Sequence, residues 1–133
     1  MRQIEHFVDG RAFAGVGKRF GEVFDPNTGE VQAHVRLAEA ADLDTAVQAA
    51  AKAQVGWGAT NPQRRARVMF EFKRLVEARM DELAELLSIE HGKVIADSKG
   101  DIQRGLEVIE FACGIPHVLK GEYTEGAGPG IDV

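Results

Sequence analysis

Arg104 is the residue whose type and sequence neighbours most suggest a chemical role. On a helical wheel it lies opposite Ile102 and Leu106. The side on which it lies carries Val108 and Phe111. A guanidinium among apolar neighbours is costly to remove from water unless an anion pairs with it. The pattern therefore predicts an anionic partner for Arg104.

Two kinds of partner fit that pattern. Asp101 and Glu107 each lie three positions away, where an intrahelical ion pair contributes a few tenths of a kcal/mol. The other possible partner is a substrate carboxylate, which the planar guanidinium fork can bind through two parallel hydrogen bonds. Gly105 would leave space beside the fork for such a ligand. The residues alone leave both possibilities open.

Cys113 is the only cysteine and hence the only candidate thiol nucleophile. It lies on the apolar stripe that contains Leu106 and Ile109, with Glu110 nearby and no cation in the adjacent turn. A reactive cysteine needs a cationic neighbour that lowers the pKa of its thiol. The sequence therefore favours a buried structural cysteine and predicts no catalytic residue.

The remaining candidates for chemistry have weaker patterns. The four histidines show no paired spacing of the kind that binds a metal, so surface or capping roles are expected (His6, His34, His91 and His117). Residues 126–130, GAGPG, lack the preceding strand and following helix of a phosphate-binding loop. The basic cluster Arg64, Arg65 and Arg67 is followed by Glu71, which is typical of a solvated helix face. No metal site is predicted.

The elements that would position these residues form an α+β pattern, with β-hairpins followed by three main helices. Residues 4–37 are expected to form the hairpins, because Asp9-Gly10 and residues 25–29 carry turn signals between alternating apolar residues. The helices are expected at 39–57, 62–91 and 94–119. These elements make a single unit over residues 1–125, and residues 126–133 are expected to be a linker toward a further strand.

The helical run predicted at 62–91, a continuous or gently kinked helix, has the clearest boundaries. Asn61 and Pro62 suit its first positions, and Gly92 suits its end. Six apolar residues recur at steps of three and four and form one stripe: Met69, Phe72, Val76, Met80, Leu83 and Leu87. The other predicted elements are too few to cover this stripe. The sequence therefore predicts a partner surface and self-association as a dimer or larger assembly.

Composition limits the classes of partner. The formal net charge of −5 argues against nucleic acid, which requires a basic face. No apolar run approaches the roughly 20 residues of a membrane helix, and no signal peptide is visible at the start. A single cysteine is typical of a reducing compartment. A soluble cytoplasmic protein is expected.

Several segments together resemble the amino-terminal quarter of the aldehyde dehydrogenase superfamily. These segments are FVDGR, FDPNTGEV, the alanine-rich helix that ends in a tryptophan, RRARVMFEF and IEHGK. Two others, NPQRRARVMF and GDIQRGLEVIEFACGIPHVLKGE, are similar to the CoA-acylating methylmalonate-semialdehyde dehydrogenases. The resemblance extends over essentially the whole chain and implies a piece of the cofactor-binding domain of these enzymes.

The resemblance also implies an activity. Members of this family oxidise malonate or methylmalonate semialdehyde with NAD, lose carbon dioxide and transfer the acyl group to coenzyme A, in valine and inositol breakdown, as homotetramers. The family's arginine in the QRGLE-like segment helps to bind the substrate carboxylate, and it falls on Arg104. Cys113 does not match the family nucleophile.

Because the family's nucleophile, general base and nucleotide fold lie beyond this segment, a fragment is expected, which alone binds no cofactor and has no activity. The alternative is a stand-alone helical module for self-association or assembly, without catalysis.

Overall fold

The computed structural model describes residues 1–133 as five short strands followed by five helices. The strands are β1 Arg2–Ile4, β2 His6–Val8, β3 Arg11–Phe13, β4 Phe20–Phe24 and β5 Val31–Arg36. The helices are α1 Ala40–Ala59, α2 Pro62–Ala78, α3 Met80–His91, α4 Ile95–Cys113 and α5 Ile115–Val118. The predicted α+β class is confirmed.

Strands β2 and β3 form the hairpin expected around Asp9-Gly10. They pair antiparallel, and Phe7 lies opposite Ala12. Asp9 has φ 53° and Gly10 has φ 74°. Two successive positive φ angles are typical of the tight turn whose twist matches that of the flanking strands. The turn dipeptide therefore predicted this hairpin correctly.

The second sheet contains a pairing that the sequence pattern did not predict. Strands β4 and β5 form the expected antiparallel hairpin, closed by a hydrogen bond from Gly29 N–H to Asp25 O at 2.8 Å. Strand β1 adds to the far side of β5 in parallel, so the order is β1-β5-β4. The prediction of hairpins alone was therefore incomplete. A parallel neighbour from distant sequence leaves no turn signal between the two strands.

The helix predicted at 62–91 begins and ends as expected but is broken in the middle. The Asn61 side chain accepts a hydrogen bond from Gln63 N–H at 2.9 Å, and Gly92 ends α3 with φ 77°. Arg79, with φ −118° and ψ 23°, separates α2 from α3. No proline or glycine causes this break, and both helices contact α4. We therefore attribute it to tertiary packing.

The other two predicted helices also have different ends. Helix α1 continues through Gly56 and Gly58 to Ala59, beyond the expected end at residue 57. The helix expected at 94–119 is two helices, because α4 ends at Cys113 and a separate short α5 contains Pro116. Proline is tolerated in the first turn of a helix, where its missing N–H has no partner to lose. None of the five helices combines the length and the apolar content that crossing a membrane requires.

The chain buries little of its apolar surface. Its buried apolar residues are mostly small: Ala33, Ala66, Ala84, Leu106 and Cys113. The accessible surface is 10029 Å², whereas a folded monomer of this mass exposes about 6,900 Å². In the predicted stripe Phe72 is 47% exposed, and the other five members are half-buried. About 3,000 Å² more surface is therefore exposed than a compact monomer of this size exposes.

The predicted linker, residues 126–133, folds back on the segment before it. Thr124 N–H donates to Val133 O at 2.6 Å, and Val133 N–H donates to Thr124 O at 3.0 Å. The Asp132 carboxylate accepts hydrogen bonds from the Tyr123 hydroxyl and from Gly126 N–H, each at 2.8 Å. These contacts close a loop at the end of the described chain.

Candidate functional site

Arg104 projects from α4 into solvent, with 71% of its side chain exposed. Its Nη2 contacts Asp101 Oδ1 one turn earlier, as a hydrogen-bonded ion pair. Of the two intrahelical partners that the sequence left open, Asp101 is therefore the one observed. An exposed pair at this spacing is weak, so a competing carboxylate could displace it.

The apolar surroundings predicted for Arg104 exist, but they do not desolvate it. Leu106 is 3% exposed and faces the interior, while Val108 and Phe111 are largely exposed on the side that carries Arg104. The argument that burial obliges Arg104 to have an anionic partner was therefore wrong for this chain. The reason is that its apolar neighbours are themselves uncovered.

Asp101 links Arg104 to the segment before α4. This half-buried carboxylate pairs with Lys93 through its other oxygen, Oδ2. The hydrogen bond from Lys93, together with the contact with Arg104, holds the pKa of Asp101 below its ordinary value. Asp101 is thus an anion near neutral pH and fixes one edge of the Arg104 fork. A Cβ at Gly100, one turn earlier, would lie 3.9 Å from Arg104 Nη1, so the guanidinium lies over the turn that contains Gly100 and Asp101 and not beside Gly105.

The other predicted candidates are not brought into a shared site. Cys113 is buried at the end of α4, as the sequence predicted. Nowhere along the chain do three or more side chains of the metal-binding types cluster closely enough to hold an ion. Gly126, in the glycine-rich segment, donates its N–H to Asp132. These residues therefore do not converge on one site.

Asp42, in the first turn of α1, is the centre of a polar cluster. Its carboxylate, in a residue only 4% exposed, accepts backbone N–H bonds from Glu39 at 2.9 Å, Val16 at 2.7 Å and Gly17 at 3.1 Å. These N–H donors, that of Glu39 most strongly, hold the pKa of Asp42 below its ordinary value of 3.8. A Cβ at Gly17 would lie 2.2 Å from Leu37 O, which explains the glycine. The cluster ties α1 to the loop before β4 and is structural.

Arg65 is less exposed than the sequence predicted for the basic cluster to which it belongs. Arg64 and Arg67 are exposed, but Arg65 is half-buried and forms no ion pair with a carboxylate of the chain. Its Cζ lies 6.0 Å from the centroid of the Trp57 ring, and no group of the chain accepts a hydrogen bond from its Nε. The prediction was wrong for this one arginine, because α1 and α2 bring the tryptophan over it.

The sequence that folds into these elements identifies a class of protein. Residues 14–131 match the family model described as "Aldehyde dehydrogenase family". The chain belongs to this family of oxidoreductases.

Within the family, two similar proteins are both named malonate-semialdehyde dehydrogenase. The chain is 41% identical over 132 residues to the malonate-semialdehyde dehydrogenase of Pseudomonas aeruginosa, covering 99% of the chain and 26% of that protein. It is also 41% identical to malonate-semialdehyde dehydrogenase 1 of Geobacillus kaustophilus, covering 97% of the chain and 26% of the relative.

Two solved structures are similar to this chain in both fold and sequence. A crystal structure described as a methylmalonate-semialdehyde dehydrogenase from Sinorhizobium meliloti, in complex with NAD, superposes with a TM-score of 0.95 at 59% identity. That of the methylmalonate-semialdehyde dehydrogenase from Oceanimonas doudoroffii superposes with a TM-score of 0.94 at 43% identity. Each match covers 99% of this chain and 27% of the other. The chain thus spans about a quarter of the length of its relatives and has the shape of the matching part.

Proposed function

We propose that this chain is the amino-terminal segment of an NAD-dependent, CoA-acylating dehydrogenase of malonate or methylmalonate semialdehyde. The whole enzyme would yield acetyl-CoA or propionyl-CoA in inositol and valine breakdown. The observation that carries this proposal is the identity of 41–59% to proteins named for these substrates. The proposed setting is the cytoplasm, where a reducing environment would keep Cys113 as a free thiol.

Arg104 is proposed to contribute the recognition of the substrate carboxylate. These semialdehydes carry a carboxylate in addition to the reactive carbonyl, so selection needs a fixed cation. The guanidinium is exposed and is oriented on one edge by Asp101, and its planar fork suits a carboxylate. On binding, the substrate carboxylate would replace or share the weak contact between Arg104 and Asp101. It would form a charge-assisted pair with the guanidinium.

We propose that the nucleotide and the thioester cofactor of the whole enzyme are bound outside the glycine-rich segment of this chain. Residues 126–130 form a turn in which Gly126 donates its N–H to Asp132. NAD and coenzyme A are therefore assigned to the whole enzyme and not to these residues. The only thiol, Cys113, is buried and cannot reach a carbonyl, which supports the proposal that the chain alone does not turn over aldehyde.

The test of the carboxylate role is Arg104→Ala in a complete dehydrogenase that carries this segment. Loss of a charge-assisted pair costs about 1.5–3 kcal/mol, so KM for malonate semialdehyde should rise about 10- to 100-fold. KM for an uncharged aldehyde such as propanal should change little. Gln103→Ala, at the exposed neighbouring position, is the matched control. Equal losses for both aldehydes would contradict the role of Arg104.

The second candidate function is self-association without catalysis, which the uncovered surface favours. Helix α1 makes few contacts with the other helices and strands, and α2 presents an exposed apolar row of Val68, Phe72 and Leu75. A stable dimer buries about 800 Å² per partner, which is well below the excess of about 3,000 Å² exposed here. We propose a second copy on the α2 row, and sedimentation velocity over a range of concentrations tests it. A single monomeric species at all concentrations would exclude this candidate.

A further inference from the structure

A cavity lies where the end of α1, the start of α2 and the α4–α5 junction meet. Its volume is about 340 Å³, within the range of pockets that hold small ligands. Its walls are mainly apolar and include Trp57, Met69, Ile115 and Leu119. Arg65 is the single charged residue in its lining. We call this cavity the Trp57–Arg65 pocket.

The charge in this pocket has no counter-ion within the chain. Five arginines pair with a carboxylate, and three of the others are exposed. Of the two half-buried arginines without an ion pair, Arg36 donates to Gly17 O at 2.6 Å, whereas the Arg65 guanidinium donates no hydrogen bond within the chain. It is half-buried against Trp57, and its Nε has no acceptor. A partly desolvated cation without an anion is unfavourable. The aromatic ring offsets part of this cost, and an anion in the pocket would offset more.

We propose that the Trp57–Arg65 pocket binds a small monocarboxylate with a short hydrocarbon chain. Arg65 would bind the carboxylate, and the apolar walls would cover the chain. A cationic ligand would meet the arginine at unfavourable electrostatic cost. A dicarboxylate would leave its second charge against apolar walls, since no other cation lines the pocket.

This pocket is separate from the position proposed for substrate recognition. On α4 the pocket is reached at Ala112, eight residues after Arg104, which corresponds to about 12 Å along a helix axis. The two sites can therefore be tested independently, and failure of one leaves the other in place.

Trp57 makes binding directly observable, because it is the only tryptophan of the chain and it lines the pocket. Hexanoate is titrated into the protein while tryptophan fluorescence is recorded, with hexan-1-ol and hexylammonium as probes of equal chain length. A saturable change is expected with hexanoate, with a Kd of about 1 mM because so small a ligand has few contacts. Hexan-1-ol should bind at least about tenfold more weakly, and hexylammonium should not saturate.

The arginine is tested with matched variants. Arg65→Gln should weaken hexanoate binding at least about tenfold, because the charge-assisted contact is lost. Arg64→Gln removes the same charge from the exposed neighbouring position and should leave the Kd unchanged. Arg65→Lys keeps the charge without the planar fork and should lie between Arg65→Gln and the unsubstituted protein. Circular dichroism verifies that each variant is folded.

Several results would overturn the proposal. They are no saturable response to hexanoate, equal affinity for hexan-1-ol, or equal losses in Arg64→Gln and Arg65→Gln. A fluorescence change that follows protein concentration without added carboxylate would show that a second copy fills the pocket instead. If Arg65→Gln does not fold, the contrast between hexanoate and hexan-1-ol on the unsubstituted protein decides the outcome.

Discussion

Leu106→Ala tests whether the interior face of α4 holds this segment together and orients Arg104. Leu106 is 3% exposed and is the only large aliphatic side chain among the buried residues. Truncation of a buried leucine costs about 2–5 kcal/mol. We expect the lower end, about 2–3 kcal/mol, because the surroundings in this open structure can relax into the space. The same burial fixes the rotation of α4 and so directs Arg104 outward.

The assay is urea unfolding followed by circular dichroism. For a urea m value of about 1.5 kcal/mol/M, the midpoint should fall by about 1.3–2 M. Val108→Ala, on the exposed side of the same helix at 68% exposure, is the control. It should change stability by less than about 0.5 kcal/mol, since a surface position loses little packing and alanine favours helix. Equal losses in the two variants would refute the assignment of the buried face, and with it the orientation argued for Arg104.

The remaining predictions concern acid stability and assembly. The pKa of Asp42 in the folded protein lies below its ordinary value of 3.8. Its contribution to the free energy of unfolding is therefore complete above about pH 4 and is lost as pH falls through the lowered pKa. Asp42→Asn should therefore lower stability at pH 7 and weaken its dependence on pH below 4. Urea midpoints measured between about pH 2 and pH 7 check this prediction, with Asp44→Asn at an exposed position as the control. Identical pH profiles for Asp42→Asn and the unsubstituted protein would contradict it. Phe72→Glu should dissociate the proposed α2 dimer in sedimentation velocity, whereas Phe7→Glu, an equal change on β2, should not. Persistence of the dimer in Phe72→Glu would place the interface elsewhere.

Local features of the fold could be predicted because few residues determine them. Asn61 caps α2 with its own side-chain oxygen, and Gly92 ends α3 because glycine tolerates a positive φ. Asp9-Gly10 forms its hairpin for the same conformational reason. The break at Arg79 has no such local cause, so the apolar pattern allowed a kink in the run but did not locate it.

The candidate site was only partly predictable. Cys113 was correctly placed in the interior, because its spacing with Leu106 follows the helical period. The environment of Arg104 was not, since a helical wheel shows which residues share a side but not whether anything covers that side. Arg65 was misjudged for the converse reason: its cluster is polar in sequence, but the packing of α1 against the start of α2 places Trp57 beside it.

The sequence by itself determined the hairpin turns, the helix caps, the α+β class and the resemblance to aldehyde dehydrogenases, because these depend on residue types over short spans. Tertiary structure alone decided the parallel pairing of β1 with β5, the three N–H bonds to Asp42 and the pocket around Arg65. Each of these joins groups from separate elements. Their contact depends on how the chain folds in space, and no short-range periodicity records it.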